Sequence, residues 1–136
     1  GCLLTDPAFS RRLRDLRDHE GLDEVRNIHL LKVGRHFRLP SGRKVIVGRN
    51  EMENKKLEDL AGKGDALLDP RGIPGPTVIL PGGGSDTELM EASRLCARYS
   101  DARRGETMAV ECERNGTVTT FTITCPSTEE LNLKAL

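Results

Sequence analysis

The dipeptide Asn115-Gly116 constrains this chain more than any other pair of residues in it. Asn-Gly suits the two central positions of a type I′ turn, which need positive φ, and that turn matches the twist of paired antiparallel strands. On either side lie Thr107–Arg114 and Thr117–Thr124, rich in Thr, Val, Ile and Phe. A two-residue loop sets Val110 opposite Phe121 and Met108 opposite Ile123, with Cys112 and Thr119 beyond them. Both apolar pairs then fall on one face, which supports the register independently of the turn. The chain must therefore contain antiparallel sheet with a buried face.

A second stretch, residues 42–54, reads as strand, turn and helix. Lys44 to Val47 is β-branched and apolar, and Gly48 breaks it. Before it, His36-Phe37-Arg38-Leu39 alternates, which predicts Phe37 and Leu39 inward and His36 and Arg38 outward, with Pro40-Ser41-Gly42 as the hairpin turn. Asn50 stands where a helix N-cap belongs, with Glu53 three residues on as in a capping box. Arg49 sits at the turn beside the free N–H groups of the new helix, a combination that favours an anion. The plainer alternative is that Asn50 only caps and Arg49 only faces water.

The surrounding charge argues against the plainer alternative. From Val25 to Asn50 there is no Asp or Glu, while Arg26, Lys32, Arg35, Arg38, Arg43, Lys44 and Arg49 all fall there, with His29 and His36. The whole chain balances 21 basic against 21 acidic residues, so this window is segregated charge. Segregated positive charge attracts polyanions. Aromatics are only 3% of the chain, and Phe9, Phe37, Tyr99 and Phe121 are the whole supply. Recognition by base stacking is disfavoured, and contacts to phosphates would carry any binding of RNA.

Several segments follow one another in an order that resembles a known family. They are Lys-Val-Gly-Arg-His-Phe-Arg-Leu (32–39), Val-Gly-Arg-Asn-Glu-Met-Glu-Asn (47–54), Gly-Asp (64–65), Pro-Gly-Pro (74–76) and Ala-Arg-Tyr-Ser-Asp-Ala-Arg (97–103). The series resembles the NFACT-R domain, an RNA-binding module of ribosome-quality-control proteins. It is more similar to the version at the C-terminus of PP-loop tRNA thiouridylases, and Gly-Cys-Leu-Leu-Thr-Asp-Pro (1–7) resembles the segment after the PP-loop core of those enzymes. The chain departs from the quality-control type after Gly-Asp, where Ala66-Leu67-Leu68-Asp69 holds neither an aromatic residue nor a histidine.

The resemblance implies a lead-in over 1–31 from a preceding catalytic core and an RNA-binding domain over 32–136. Together with the acid-free window, its hairpin and the helix start at Asn50, the resemblance points to tRNA or another structured RNA bound by Lys32, Arg35, His36, Arg38, Arg43, Lys44, Arg49 and Asn50; the resemblance also puts the loop 70–76 on that face, where Arg71 would add charge. ATP would belong only to the core, so no cofactor is expected in these residues. Cys2 would be the one candidate sulfur carrier, since sulfur transfer needs a thiol that can hold a persulfide.

The residues themselves assemble no catalytic set: His19, His29 and His36 have no placed carboxylate or nucleophile, and there is no PP-loop. Pro81-Gly82-Gly83-Gly84 precedes a helix, but without a P-loop Lys-Ser or a G-x-G-x-x-G it makes a poor nucleotide site. Cys2, Cys96, Cys112 and Cys125 have no C-x-x-C spacing, so neither zinc nor a disulfide framework is suggested. There is no secretory signal and no apolar run long enough for a bilayer, and the chain starts at Gly1. A piece of a longer cytoplasmic protein is the simplest account.

The remaining elements follow from periodicity. Phe9, Leu13 and Leu16 form a helical stripe over 7–20, and a shorter helix is expected over 23–31. A helix over 50–62 would turn Met52, Leu57 and Leu60 to the core. Strands are expected over 65–69 and 77–80. A helix starts after Ser85, boxed by Glu88, with Leu89, Ala92, Cys96 and Ala97 inward, and a short helix capped by Ser127 closes the chain. The fold class is α+β, a mixed or antiparallel sheet with hairpins and packed helices, in one domain. Two functions remain: a tRNA-binding module for a thiolating enzyme, or an interaction domain packed on its own catalytic core or on a ribosomal partner.

Overall fold

The computed structural model describes residues 7–8, 11–12, 30–127 and 134–135. Among the described residues seven strands form one sheet: β1 (Arg35–Arg38), β2 (Lys44–Val47), β3 (Ala66–Arg71), β4 (Val78–Leu80), β5 (Thr107–Arg114), β6 (Thr117–Thr124) and β7 (Lys134–Ala135). Their order across the sheet is β6-β5-β3-β4-β2-β1-β7, and every neighbouring pair is antiparallel. Helix α1 (Glu51–Leu60) follows β2, and helix α2 (Asp86–Arg98) follows β4. The class is α+β, as the sequence predicts.

The β5–β6 hairpin has the expected register, with Val110 opposite Phe121, Met108 opposite Ile123 and Cys112 opposite Thr119. Asn115 at φ 52 and Gly116 at φ 81 occupy the two positions that demand positive φ. The β1–β2 hairpin closes where expected, Arg38 opposite Lys44, with Gly42 at φ 91 in its turn. Strand β3 runs further than expected, through Pro70 to Arg71. Its pairing with β4 stops at Leu68, so Pro70 has a neighbour only on the β5 side. A missing N–H is tolerated at such a local edge.

The sheet has two unlike faces. On one, Phe37, Val45, Val47, Leu68, Val78, Leu80, Val110 and Ile123 pack under α2 with Leu89, Ala92, Leu95, Cys96 and Ala97. On the other, Ile46 and Ile79 pack under Leu57 of α1 together with Leu30 and Val33. Helix α1 covers this second face over β4 and β2. Burying each large aliphatic side chain contributes roughly 1.5–3 kcal/mol, so the two-sided strands β2 and β4 anchor the fold. Apart from Lys44 at the start of β2, they read accordingly as apolar runs.

This second layer overturns one expectation. His36 and Arg38 do point away from Phe37, but the face they point to is covered, and His36 is 1% exposed and Arg38 5%. Lys44, opposite Arg38, is also 5% exposed. Two smaller expectations fail. Met52 is 68% exposed, so α1 packs through Leu57 and, in part, Leu60. Lys134 and Ala135 form a strand against Arg38 and Phe37 where a closing helix was expected, because the outer edge of β1 needs partners for its backbone groups. Pro7, Ala8, Arg11, Arg12 and Leu30 are helical as expected. The remaining residues of both expected helices, apart from Leu31, lie outside the described residues, and so does Cys2.

Candidate nucleic-acid interface

The site grows from the turn between β2 and α1. Gly48 donates its N–H to the Thr77 carbonyl at 2.9 Å. A Cβ at Gly48 would lie 2.0 Å from Asn54 Oδ1, so only glycine lets the strand end pass so close to the helix. Asn54 Oδ1 in turn accepts the Thr77 N–H at 3.1 Å, which ties α1 to the segment before β4. Asn50 caps α1 as expected, its Oδ1 accepting the Glu53 N–H at 2.9 Å.

Glu53 does not complete a reciprocal box. Its Oε1 accepts the N–H of Arg49 at 3.0 Å and Arg49 Nε at 2.8 Å. Its Oε2 accepts the N–H of Gly34 at 3.0 Å and Arg49 Nη2 at 2.8 Å. The hydrogen bond from Arg49 is the main reason the Glu53 carboxyl is held down to about 2, and the Gly34 and Arg49 amides reinforce it. Arg49 is raised for the same reason. The buried carboxylate thus fixes the guanidinium against the turn, leaving Arg49 exposed on its outer side.

The opposite wall comes from two distant segments. Asp101 donates its N–H to the Pro74 carbonyl at 2.8 Å, holding the Pro74–Pro76 segment against the end of α2. A Cβ at Gly75 would lie 2.6 Å from Ser100 Cβ. Tyr99 follows α2 directly, its ring centroid 5.9 Å from that of Phe37. The Arg35 guanidinium lies 5.0 Å from the Tyr99 centroid and that of Arg98 5.9 Å. These are cation–π distances. Between the walls is a cleft of about 180 Å³, lined by Gly48, Arg49, Asn50, Glu51, Asn54, Gly75, Pro76 and Tyr99.

The sequence-predicted residues divide. Arg49 and Asn50 line the cleft, and Arg35 is exposed against its Tyr99 wall. Lys32 is exposed beside a separate cavity with Val33, Lys56, Asp59 and Leu60. Arg43, at the far end of the hairpin, donates through Nε to Glu88 Oε2 at 3.1 Å and through Nη1 to the Pro81 carbonyl at 3.3 Å. Arg71 is exposed but paired with Glu111. Arg38 donates to the Gly42 carbonyl at 2.9 Å and, like Lys44, has further interactions within the fold. His36 Nε2 meets the Val33 carbonyl at 2.9 Å. Burial, with Lys44 and Arg12 behind it, lowers His36 to about 2, so the ring is neutral. The acid-free window in sequence is therefore not one basic face.

Charge counting missed Asn54, Glu53, Gly75, Arg98 and Tyr99. All of them lie within the segments 47–54, 74–76 and 97–103 that carry the family resemblance. Those segments, separate in the chain, meet in this one cleft.

Residues 34–135 match the family model described as the NFACT protein RNA binding domain. The chain belongs to this family. The solved C-terminal part of the fibronectin/fibrinogen-binding protein from Streptococcus suis is similar to this NFACT RNA-binding domain, with 23% identity and a TM-score of 0.62. The match covers 91% of this chain and 59% of that one, so the chain spans about three fifths of its neighbour's length. At that identity the likeness bears on the fold alone. No curated protein matches the chain.

The described cysteines do not line the cleft, although Cys96 Sγ donates to the Pro76 carbonyl behind it at 3.4 Å. Burial pushes the Cys96 thiol up to about 12, aided by Asp69, and raises Cys112 as well. Cys96, Cys112 and Cys125 are free thiols, all buried, which makes them poor nucleophiles. Among the described residues no group of His, Cys, Asp and Glu is placed to hold a metal ion, and no helix is long and apolar enough to cross a membrane.

Proposed function

We propose that this domain binds structured RNA, tRNA foremost, by its sugar-phosphate backbone at the cleft between the Arg49-Asn50 turn and Tyr99. The observation that carries the reading is the meeting of three separate family-like segments at that cleft, with Arg35, Arg49 and Arg98 around it. The chemistry suits phosphate. Both Asn50 and Asn54 use their amide oxygens on backbone N–H groups, which leaves amide donors, and the start of α1 adds its own N–H groups. Tyr99 is flanked by guanidinium groups, so it orients cations and is a poor platform for a base. Binding of this kind is tolerant of sequence and sensitive to salt.

We further propose that the parent chain is a PP-loop tRNA-thiolating enzyme of the cytoplasm. ATP and catalysis would belong to its core, residues 1–31 would lead in from that core, and Cys2 would be the candidate sulfur carrier. This rests on the likeness of residues 1–7 and of the segment series to those enzymes. His36, Arg38 and Lys44 are left out of the contact set because they are buried. Arg43 and Arg71 pair with Glu88 and Glu111 and do not line the cleft, and Lys32 lies at a separate cavity.

The test is a titration of tRNA and of an unrelated structured RNA at several salt concentrations, with wild type, Arg35→Ala/Arg49→Ala and Arg43→Ala. The double variant should bind both RNAs more weakly and lose about two units of salt slope. Arg43→Ala should match wild type. An unchanged double variant with intact circular dichroism would transfer the cleft to the alternative, an interaction surface for the parent core.

A further inference from the structure

Among the described residues, strand β6 is an unprotected sheet edge. It closes one end of the strand order, and among the described residues nothing pairs with its outer side. The other end is a two-residue strand, β7, too short to template much pairing. Strand β6 runs eight residues, Thr-Val-Thr-Thr-Phe-Thr-Ile-Thr. It has no Lys, Arg, Asp, Glu, Pro or Gly. Its register with β5 is unbroken from Thr117 opposite Arg114 to Thr124 opposite Thr107, so no bulge twists it away. Natural edges are guarded by charges, prolines, bulges or shortness, and β6 has none of these. Every second residue of an edge strand turns its N–H and C=O outward. Val118 is 52% exposed, and Phe121 is half-buried on the opposite face.

We propose that β6 pairs antiparallel with β6 of a second copy of this chain, joining two sheets across a two-fold axis. Electrostatics chooses the occupant. A charged edge repels its own copy and selects an opposite charge, whereas a neutral edge of Thr, Val, Ile and Phe fits itself without like-charge contacts. The copy also matches β6 in length, so most of its outward backbone groups find partners. Alternation limits the register. For the α2-covered faces to lie on the same side, even positions must meet even positions and odd must meet odd. The longest overlaps that satisfy this leave one residue of each strand unpaired and centre on Thr120 or on Phe121. The second brings the two Phe121 rings together across the axis and sets Thr120 against the partner's Thr122. In the first, Thr120 meets its own copy.

Either register places a residue 120 side chain beside residue 120 or 122 of the other copy, which yields a test. Thr120 and Thr122 are exposed, and Thr120 lies opposite Glu111, so lysine there is accommodated within one chain. Wild type, Thr120→Lys/Thr122→Lys and Thr120→Glu/Thr122→Glu would be compared by sedimentation over a range of concentrations, under reductant to exclude disulfides. Wild type should double its mass as concentration rises. Each variant alone should stay monomeric with an unchanged circular dichroism spectrum, and an equimolar mixture of the two should regain the doubled mass. A wild type monomeric throughout, or a dimer indifferent to both charge changes, would overturn the proposal. So would a mixture that stays monomeric.

Discussion

Helices α1 and α2 begin with the same local signal and build different things. Each has an N-cap side chain and a glutamate three residues on, and each glutamate also holds an arginine. At α2 the reciprocal box forms: Ser85 Oγ accepts the Glu88 N–H at 3.2 Å, and Glu88 Oε1 accepts the Ser85 N–H at 2.9 Å. Glu88 Oε2 is left over and takes Ser41 Oγ at 2.6 Å and Arg43, fastening the β1–β2 turn. At α1 no oxygen of Glu53 reaches back to the Asn50 N–H. Both serve Arg49 and the amides of Gly34 and Arg49 instead. The first start is a clamp with its cation absorbed. The second is a clamp that sets a cation at the rim of a cleft. A capping motif specifies a helix start, and what arrives opposite its glutamate decides whether a site forms.

The largest effect that separates the two starts should come from removing the glutamates. Glu53→Ala leaves the buried Gly34 N–H and the partly buried Arg49 N–H without their acceptor, an expected loss of about 2–4 kcal/mol. Glu88→Ala takes away an exposed box and a partly exposed ion pair, an expected loss of about 1 kcal/mol. Urea midpoints for both variants measure this, and equal losses would break the comparison.

Acid comes next. Glu53 and Glu88 each fall from an ordinary 4.5 to about 2, so in that window the unfolded chain binds more protons. Their stabilisation is full above pH 4.5 and is lost as pH falls towards 2. Buried His36 falls from 6.5 to about 2, so its share begins to be lost at pH 6.5. Each group contributes a slope of at most about 1.4 kcal/mol per pH unit. We expect His36→Gln to flatten the stability profile between pH 6.5 and 4.5, and Glu53→Gln to flatten it only below 4.5. A wild-type profile that is level from pH 6.5 to 5 would contradict the burial of His36.

The caps should lose similar stability and differ in function. Ser85→Ala and Asn50→Ala should each cost about 1 kcal/mol by thermal or urea unfolding. Only Asn50→Ala should weaken RNA binding, since Asn50 lines the cleft. Smallest of all, Arg43→Ala should change stability by about 0.5 kcal/mol or less and leave RNA affinity as it was. A loss of affinity in that variant would move the binding face to the hairpin turn.

Local chemistry made much of this protein legible. Asn115-Gly116 carried its hairpin and register, Ser85 and Glu88 carried α2, and the apolar stripe of α2 named its own core residues. Those features rest on interactions within a few residues or between strands joined by a tight turn, and sequence records them directly. The charge window was different. Arg38, Lys44 and His36 alternate as outward residues should, and alternation is blind to a second layer covering that outward face. Counting acids from Val25 to Asn50 stopped short of Glu53, four residues after Arg49, and could not find Glu88 against Arg43 or Glu111 against Arg71. Glu88 lies 45 residues from Arg43 in sequence and 3.1 Å away in space.

By itself, then, the sequence determined the α+β class, the two hairpins, both helix starts and the segments by which the family is known. Tertiary structure alone decided which cations remain available and where those segments meet. The physical reason is range. Turn geometry, capping and side-chain alternation act over a few residues, while desolvation and ion pairing depend on whatever the folded chain brings alongside.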